Sequence, residues 1–290
     1  MKIALVTYQD KGKYHLINVA NEDDTLLIFL KSKGYRITKE IWNDASIKWE
    51  EYELVILKSP WDYFDLIEDF YTWLAKLENL NVRLLNPIHI IKWNADKHYL
   101  QEIEKSGLKI TPSIFIAKGD QINLVSYFEF FNTNQLIIKP CVSGGSKNTF
   151  KVTSTNVDEV TAILTELIKN EDFIIQPFLK EIEEQGEWSF LFFNGKFSHA
   201  VLKKAKKGDF RVQASFGGTV HHQVPPSNYL NSAQLYVNQF AKDCLYARVD
   251  GTIINGEFYL MELELIEPFL FLADYKSNLT NYYEALKQLI

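Results

Sequence analysis

The segment Tyr259–Pro268 places two carboxylates in an otherwise apolar run with the pattern of a β-strand. Alternate residues of a strand face the same side, so Glu262 and Glu264 should share a face. Two like charges about 5 to 7 Å apart in apolar surroundings repel unless positive charge lies between them. The pair therefore predicts a divalent-cation site, and hard oxygen ligands favour Mg²⁺. The alternative is an edge strand whose glutamates face solvent.

The composition excludes a membrane protein and a disordered chain. With 290 residues and 47% hydrophobic content, the chain has room for two or three modest domains. Its apolar runs stay below the roughly 20 residues that cross a bilayer, and its first residues predict a strand instead of a signal peptide. Cys141 and Cys244 lie far apart and fit a reducing compartment. We therefore expect a cytoplasmic protein with no membrane partner.

The net charge of −6 also argues against nucleic acid as a partner, because nucleic-acid binders need a dominant basic face. One basic segment stands out, with Lys203, Lys204, Lys206, Lys207 and Arg211 within nine residues. Such a segment suits a small polyanion such as a nucleotide better than a polymer. The alternative is a solvated loop of lysines.

The first third of the chain predicts a doubly wound α/β domain. Strand patterns over residues 2–7, Tyr35–Trp42 and Leu54–Leu57 alternate with a helical pattern over Thr25–Lys33. The apolar third strand is typical of a parallel sheet, where ligands bind beyond the carboxyl ends of the strands. Ser59–Tyr63 follow at that end. Neither a dinucleotide-binding glycine motif nor a P-loop is present in the sequence.

The rest of the chain predicts two further units. We place domains at residues 1–95, 96–178 and 179–290. The predicted elements are helices over Phe64–Leu77, Ala95–Glu104, Val157–Ile168 and about Asn231–Leu245, strands over Leu136–Pro140, Thr149–Thr153, Phe173–Phe178, Trp188–Phe193 and Phe197–Leu202, an acidic loop at Glu181–Glu187, and a hairpin over Arg248–Leu265.

A glycine-rich turn lies between two of these strands. Lys139 ends the first strand, and Ser143-Gly144-Gly145-Ser146 follow. Backbone N–H groups of such a turn can point at phosphates. The alternative is an ordinary hairpin turn.

Taken in order, the motifs resemble the ATP-grasp superfamily. They are this glycine-rich turn, Trp93–Lys97, Ile174–Phe178, Gly186-Glu187, Gly208–Arg211 with Gly217-Gly218, Asp250 and the Glu262/Glu264 pair. The resemblance covers roughly residues 95 to 270, and within the superfamily the chain looks nearest to D-cycloserine-forming cyclo-ligases. The motifs for that branch are Ser59–Tyr63, Gly186–Ser189, Phe197–Val201, Gly208–Gln213 and Glu262–Pro268. The fold implied is an α/β protein with an N-terminal doubly wound pre-ATP-grasp domain and a two-lobed ATP-grasp unit.

The resemblance implies a set of ATP contacts. Lys97, Lys139 and Lys203 match nucleotide-binding lysines, and Ser143, Gly144, Gly145 and Ser146 match the loop that closes over the phosphates. The adenine hinge would be Gln176, Pro177, Phe178 and Leu179. The acid that holds the ribose would be Glu187, or Glu183 or Glu184 just before it.

It also implies a metal site and a substrate site. Asp250, Glu262 and Glu264 match ligands of one or two Mg²⁺ ions, and Arg211 and Lys139 match residues that neutralise the transferred phosphoryl group. Predicted substrate contacts are Ser59, Trp61, Asp62, Tyr63, Arg211 and Glu267. Two departures stand out: Glu264 replaces the Asn of many relatives, and Lys58 stands where this branch should have Arg.

Asp250 reaches the face of Glu262 only if the hairpin is irregular. A two-residue turn at Asn255-Gly256 pairs residue 250 with residue 261, which puts Asp250 on the opposite face. A three-residue loop with glycine in the left-handed conformation pairs 250 with 260 and restores a common face. We therefore expect one extra residue, located in the loop.

The implied reaction is ATP- and Mg²⁺-dependent ligation of a small-molecule carboxylate to an amine-type nucleophile, in a second substrate or in the same molecule. Two alternatives stay open, an ATP-grasp kinase that phosphorylates a hydroxyl and a nucleotide-binding protein without turnover. The sequence leaves the oligomeric state open, with a homodimer as one option.

Overall fold

A computed structural model describes residues 1–10, 12, 19–206, 212 and 217–290 of the chain. The N-terminal unit is a parallel four-stranded sheet flanked by helices. Its elements are β1 (Lys2–Thr7), α1 (Val19–Ser32), β2 (Arg36–Ile41), β3 (Leu54–Ser59), α2 (Ile67–Asn79) and β4 (Arg83–Leu85), with short 3₁₀ turns at Trp49–Glu51 and Tyr63–Asp65.

This sheet has the strand order β2-β1-β3-β4, and its two central strands are buried on both faces. β1 and β3 are apolar throughout their centres because neither face meets solvent. Ala4, Val6, Val55 and Leu57 face a core that includes α2 and several tryptophans. The intervening residues of both strands face a second core, shared with the C-terminal unit.

The middle unit is an antiparallel four-stranded sheet of order β5-β8-β6-β7, with α5 and α6 packed together on its apolar side. Its alternating strand β6 places Leu136 and Ile138 in that core. The elements of this region are α3 (Ile88–Asn94), α4 (Tyr99–Lys105), β5 (Ile114–Ile116), α5 (Leu124–Phe130), β6 (Gln135–Pro140), β7 (Phe150–Thr153), α6 (Val157–Leu167) and β8 (Phe173–Pro177).

The C-terminal unit is an antiparallel sheet of order β11-β10-β9-β12-β13. Trp188, Phe190 and Phe192 point from β9 into a core shared with α8 and α4. The elements are α7 (Lys180–Glu184), β9 (Glu187–Phe193), β10 (Lys196–Lys204), β11 (Thr219–His222), α8 (Ser227–Phe240), β12 (Tyr246–Ile254), β13 (Glu257–Glu264) and α9 (Lys276–Leu289).

Helix α9 packs on the N-terminal unit although it follows the C-terminal sheet in the chain. Tyr282, Ala285 and Leu286 share one core with Leu26 and Leu30 of α1. That core also contains residues of β1, β3 and β9, so the first and last predicted domains bury apolar surface together. The predicted boundaries at residues 95 and 178 remain a proposal.

The hairpin of β12 and β13 closes with a two-residue turn. Ile254 pairs with Glu257, and both turn residues have positive φ, 52° at Asn255 and 82° at Gly256. This conformation matches the right-handed twist of the strands, which explains the Asn-Gly pair. The predicted three-residue loop is therefore wrong.

The extra residue lies inside the strands instead. The register shifts between Asp250 and Gly251, so that Asp250 pairs with Glu262. A Cβ atom at position 251 would collide with the backbone oxygen of Tyr259 and the ring of Phe258. Glycine therefore permits the bulge, and the bulge puts the carboxylates of Asp250 and Glu262 on one face.

Other sequence predictions also need correction. The predicted acidic loop contains the short helix α7, and the helix predicted from Ala95 begins at Tyr99. Helix α3 over Ile88–Asn94 was not predicted from the sequence. Hydrophobic periodicity alone does not fix the residue at which a helix begins or ends. None of the described helices is long and apolar enough to span a membrane.

Candidate active site

A cavity of about 470 Å³ is bordered by all three units. Its walls include Trp61 and Tyr63 from the N-terminal unit, Lys139 from β6 and Glu187 from β9. Polar and charged side chains from several helices and strands therefore converge on one space, as expected for a small-molecule site.

Strand register explains why one wall is charged. Glu187 pairs with Lys203, Ser189 lies opposite Asp250, and Asp250 pairs in turn with Glu262. Directly paired residues of antiparallel strands point to the same face, so these side chains form a polar row across the sheet. Ser189 donates a hydrogen bond of 2.6 Å to Asp250 Oδ1.

Three lysines border the cavity with different partners. Lys97 Nζ lies 3.2 Å from Glu262 Oε1, and Lys203 Nζ lies 3.1 Å from Asp250 Oδ2 and also contacts Glu187. Within the described ranges, no carboxylate lies within 4.0 Å of Lys139 Nζ.

Burial affects the charge of these lysines unequally. Burial disfavours the charge of Lys97, but Glu262 and Glu267 outweigh it and raise the pKa of Lys97. Burial lowers the pKa of Lys139 and outweighs the opposing attraction of Glu262. A negatively charged ligand next to Lys139 would favour the charged form of this lysine.

Arg248 lies among the carboxylates and was not predicted as a site residue. Its Nε and Nη2 donate to Asp250 at 2.8 to 3.1 Å, Nη2 also donates to Glu264, and Nη1 donates to the carbonyl of Phe269 at 3.1 Å. Burial disfavours the charge of Asp250, but Arg248 and Lys203 outweigh it and hold the pKa of Asp250 well below its usual range. The sequence signal was available, because residues 248 and 250 are two apart in one strand.

For two carboxylates in the cavity wall, the positive charges among the described residues do not offset the effect of burial on the pKa. Burial raises the pKa of Glu264 to about 8, with Asp250 and Glu262 adding to the rise against the opposing charge of Arg248. Burial also raises the pKa of Glu267 well above its ordinary value, and Glu264 and Glu262 add to that rise. Positive charge supplied by a ligand would favour the ionised forms of both groups.

The carboxylate oxygens in the cavity wall are donors that suit a hard divalent cation. Glu262 and Glu264 present carboxylates on the same strand face, a donor type that suits Mg²⁺. Among the described residues, however, Asp250, Glu262 and Glu264 do not bring one oxygen each to within 4.8 Å of one another. Asp250 is held by hydrogen bonds from Arg248, and Arg248 also donates to Glu264.

The glycine-rich turn lies against the N-terminal unit. Gly145 and Ser146 have φ of 57° and 62°, and a Cβ atom at Gly144 would collide with the ring of Phe64. Lys147 Nζ lies 2.9 Å from Asp65 Oδ1. This ion pair anchors the edge of the turn to the N-terminal unit.

The comparisons with known proteins agree with this geometry. Residues 104–268 match the family described as prokaryotic glutathione synthetase, ATP-grasp domain, and residues 3–86 match the N-terminal domain of D-cycloserine synthetase DcsG. The first match covers more than half of the chain. The chain belongs to the ATP-grasp family.

Individual relatives share the whole fold at low sequence identity. The cycloserine biosynthesis protein DcsG of Streptomyces lavendulae is 24% identical over 276 residues, which cover 87% of this chain and 89% of that protein. The crystal structure of D-cycloserine synthetase DcsG superposes with a TM-score of 0.87 at 22% identity, covering 100% of both chains. The D-alanine–D-alanine ligase of Bacillus anthracis in complex with ATP gives 0.73 at 17% identity, covering 100% of this chain and 97% of that chain.

Family membership confirms several sequence predictions. The α/β ATP-grasp fold with a parallel N-terminal domain is confirmed, as is the enzyme class, an ATP-dependent carboxylate–amine ligase. ATP is the nucleotide of this family. The individual site residues remain predictions, and the structure adds where the described ones lie.

Most of the predicted ATP-grasp site residues border the cavity, and Arg211 lies outside the described residues. The predicted residues in its lining are Trp61, Tyr63, Lys97, Lys139, Ser143, Gly144, Gly145, Ser146, Gln176, Pro177, Phe178, Leu179, Glu187, Lys203, Asp250, Glu262, Glu264 and Glu267.

The structure separates the three candidates for the ribose contact. Glu187 is buried in the cavity wall, whereas Glu183 and Glu184 are exposed on α7 and are absent from the lining. Glu183 Oε1 lies 3.7 Å from Lys151 Nζ. Glu187 is therefore the candidate that we carry forward.

Two predicted substrate contacts do not border the cavity. Ser59 is fully buried and donates a hydrogen bond to Asp23, and Asp62 accepts one of 2.6 Å from Trp42 Nε1. Both side chains therefore support the N-terminal unit, because their polar atoms are used within it.

Lys58 also lies away from the cavity. Its Nζ is 3.0 Å from Glu22 Oε1 and 3.3 Å from Asp23 Oδ1, with only 1% of the Lys58 side chain exposed. Lys58 is therefore used inside the N-terminal unit and is not part of the cavity wall.

Glu22 connects that cluster to the segment after Glu267. Its two carboxylate oxygens accept the backbone N–H groups of Leu270 and Leu272, each at 2.9 Å. The contact links α1 to the segment that follows the cavity wall. It could not be predicted from local sequence patterns, because its partners lie about 250 residues apart.

Proposed function

We propose that this enzyme activates a small-molecule carboxylate as an acyl phosphate and passes the acyl group to an amine-type nucleophile. The observation that carries the proposal is that one cavity is bordered by Lys97 and Lys139, by Arg248 among carboxylates, and by Trp61 and Tyr63. Groups suited to phosphates and groups suited to a second ligand therefore adjoin the same space.

In the first step, a carboxylate oxygen of the substrate attacks the γ-phosphorus of ATP, and the bond to the β–γ bridging oxygen breaks to release ADP. Lys97 and Lys139 would hold the phosphates, and N–H groups of the Ser143–Ser146 turn would donate to them. Arg248 has the planar donor geometry to bind oxygens of the acyl phosphate, and Arg211 keeps the same predicted role.

In the second step, the amine nitrogen attacks the acyl carbon, the bond to the phosphate oxygen breaks, and inorganic phosphate leaves while the amine loses a proton. A closed site excludes water, which would otherwise hydrolyse the acyl phosphate. The contact of Gly144 with Phe64 and the ion pair between Lys147 and Asp65 support a closed arrangement over the cavity.

Mg²⁺ fits the proposal through the chemistry of Glu262 and Glu264, with Asp250 as the third predicted ligand. When bound, it would spread the negative charge of the transferring phosphoryl group. It would also favour the ionised form of Glu264, whose pKa is about 8 without it.

The substrate side of the cavity supports a small polar molecule. The indole N–H of Trp61 is buried and has no hydrogen-bond partner within the described ranges, and Glu267 adds an acceptor. Relatives are named for cycloserine biosynthesis and for joining D-alanine to D-alanine, which supports a small amino-acid carboxylate, with the nucleophile in the same or a second molecule. We expect a cytoplasmic setting, where ATP is available.

Hydroxylamine trapping tests the proposal directly. The protein is incubated with ATP, Mg²⁺, hydroxylamine and one carboxylate at a time, drawn from amino acids and from ureido and hydroxy acids. We expect ADP and a hydroxamate with the correct carboxylate, and neither product with the Glu262→Gln variant. Formation of ADP with a phosphorylated hydroxyl and no hydroxamate would indicate a kinase. ATP binding with no ADP across the panel would indicate a binding protein.

A further inference from the structure

Three side chains with metal-binding atoms meet outside the cavity. Asp96, His98 and Cys141 each bring one such atom to within 4.8 Å of the others. Cys141 is buried, with 1% exposure, whereas the side chains of Asp96 and His98 are 38% and 36% exposed. The thiol therefore lies at the base of a site that solvent reaches past the other two groups.

The surrounding contacts hold this cluster in place. Asp96 Oδ1 lies 2.7 Å from His98 Nδ1 and accepts the backbone N–H of His98 at 2.9 Å. The imidazole stacks on Phe115 with ring centroids 4.7 Å apart. Its other nitrogen, Nε2, is 4.0 Å from Asp172 Oδ2. A carboxylate behind the second imidazole nitrogen is the usual support of a metal-bound histidine.

Asp172 is itself fixed by backbone groups. Its Oδ1 accepts the N–H of Lys118 at 2.6 Å, and its carbonyl accepts the N–H of Cys141 at 2.9 Å. The supporting carboxylate and the thiol therefore belong to one hydrogen-bonded unit, so the cluster does not depend on long, freely rotating side chains.

The ligand types select the class of cation. A thiolate and an imidazole favour Zn²⁺ or Co²⁺, and both are poor ligands for Mg²⁺. Burial and the nearby Asp96 carboxylate raise the pKa of the Cys141 thiol, so a bound cation would have to displace its proton to solvent.

We propose that Asp96, His98 and Cys141 form a binding site for a thiophilic divalent cation such as Zn²⁺, coupled to nucleotide binding. The coupling rests on the proposed ATP site, whereas the cation site stands on its own geometry.

The position of Lys97 accounts for the coupling. Lys97 lies between two of the ligands in sequence, and its backbone N–H donates to the carbonyl of Cys141 at 3.0 Å. Its Nζ donates to the carbonyl of Ser143 at 2.9 Å and lies 3.2 Å from Glu262. A cation that draws the three ligands together therefore acts on the backbone at both Lys97 and the start of the glycine-rich turn.

Cobalt titration of the full chain tests the site. Co²⁺ bound to a thiolate gives a sulfur-to-metal charge-transfer band in the near ultraviolet, and excess Mg²⁺ keeps carboxylate sites occupied. We expect one equivalent of Co²⁺ to give this band, Zn²⁺ to abolish it, and the control Cys244→Ser to behave like the wild type. Cys141→Ser should lose the band, and His98→Asn should weaken Co²⁺ binding by about tenfold or more.

Absence of the band in the wild-type protein would overturn the site, as would its persistence in Cys141→Ser. If Cys141→Ser fails to fold, His98→Asn decides, because that side chain is partly exposed and unchanged Co²⁺ affinity would remove it from the site. These spectra require no turnover, so a failed hydroxamate assay does not affect them.

The coupling has its own measurement. The Co²⁺ titration is repeated with a non-hydrolysable ATP analogue and Mg²⁺, and we expect the Co²⁺ dissociation constant to change by about fivefold or more. An unchanged constant, with bound analogue verified separately, would overturn the coupling.

Discussion

The molecule holds two buried clusters built from the same kinds of charged residues. In the N-terminal unit, Lys58 lies between Glu22 and Asp23, and the cluster is sealed from solvent. In the ATP-grasp unit, Arg248 contacts Asp250 and Glu264 beside the 470 Å³ cavity. The first cluster has only protein groups as partners, whereas the second adjoins space for a ligand.

This difference separates two uses of buried charge. Glu22 has both oxygens occupied by backbone N–H groups, so its charge serves to join α1 to the segment at Leu270. Glu264 and Glu267 have raised pKa values, because the positive charges among the described residues do not offset the effect of burial. We therefore expect changes in the sealed cluster to lower stability and changes at the cavity to lower turnover.

The largest effect is expected from Lys58→Met. Removing the cation leaves Glu22 and Asp23 buried without it, which should lower the free energy of unfolding by about 3–5 kcal/mol. The control is Lys39→Met, which breaks the exposed pair with Asp24 and should cost at most about 1 kcal/mol. Denaturant unfolding measures both. The comparison breaks down if Lys58→Met keeps full stability but loses turnover.

The second prediction is that Glu262→Gln lowers Mg²⁺-dependent ATP turnover by at least about a hundredfold, because it removes a predicted metal-ligand charge. The thermal midpoint should change little, since the side chain keeps its shape. Glu257→Gln, on the same strand in an exposed pair with Lys109, is the control and should keep its turnover. Normal turnover in Glu262→Gln would remove this residue from the metal site.

The third prediction concerns pH and Glu264. Its folded pKa of about 8 lies above the ordinary value of 4.5, so the unfolded chain loses this proton first as pH rises. The wild type should therefore lose stability relative to Glu264→Gln between pH 5 and 8, by on the order of 1 to 3 kcal/mol in metal-free buffer. Mg²⁺ should reduce the loss. A pH-independent difference between the two proteins would show that Glu264 is already compensated.

The smallest effect is expected at the glycine-rich turn. Replacing Gly144 and Gly145 together with alanine introduces a clash with Phe64 and a strained φ, so the turn should close poorly over ATP. We expect the ATP KM to rise several-fold, by roughly 1 kcal/mol of binding, and part of the ATP to be hydrolysed without product.

The control for this variant is Gly119→Ala, which carries a similar strain, with φ of 86° and open space around it. It should lose stability while keeping the ATP KM and the ratio of product to ADP. If both variants show the same ratio of product to ADP, the glycine-rich turn is only a structural hairpin. The same conclusion follows if hydrogen exchange across residues 141–149 is equal with and without ATP and Mg²⁺.

Strand alternation and the order of the motifs were enough to predict many residues that border the cavity. Alternation placed Glu262 and Glu264 on one face, and the same rule would have found Arg248 from its spacing to Asp250. The bulge at Gly251 was harder, because its location depends on a clash with Tyr259 and Phe258 from the neighbouring strand.

Contacts between residues that lie far apart in the sequence could not be predicted from local patterns. Lys58 and Ser59 are the last residues of β3, and in many α/β proteins ligands bind beyond the carboxyl ends of such strands, which is why Ser59 was predicted as a substrate contact. In the structure their partners are Glu22 and Asp23, 36 residues earlier. Nothing in the local pattern distinguishes a lysine that binds substrate from one that neutralises a distant helix.

The docking of α9 has a consequence for the order in which the nascent chain can fold. Leu26 and Leu30 of α1 are covered by Tyr282 and Leu286, so one face of the N-terminal sheet stays incomplete until residues 276–289 leave the ribosome. The N-terminal unit therefore cannot complete its core as an independent domain while the rest of the chain is being synthesised. A chaperone that binds exposed apolar surface should engage ribosome-stalled chains that end before residue 276 more strongly than chains released at full length.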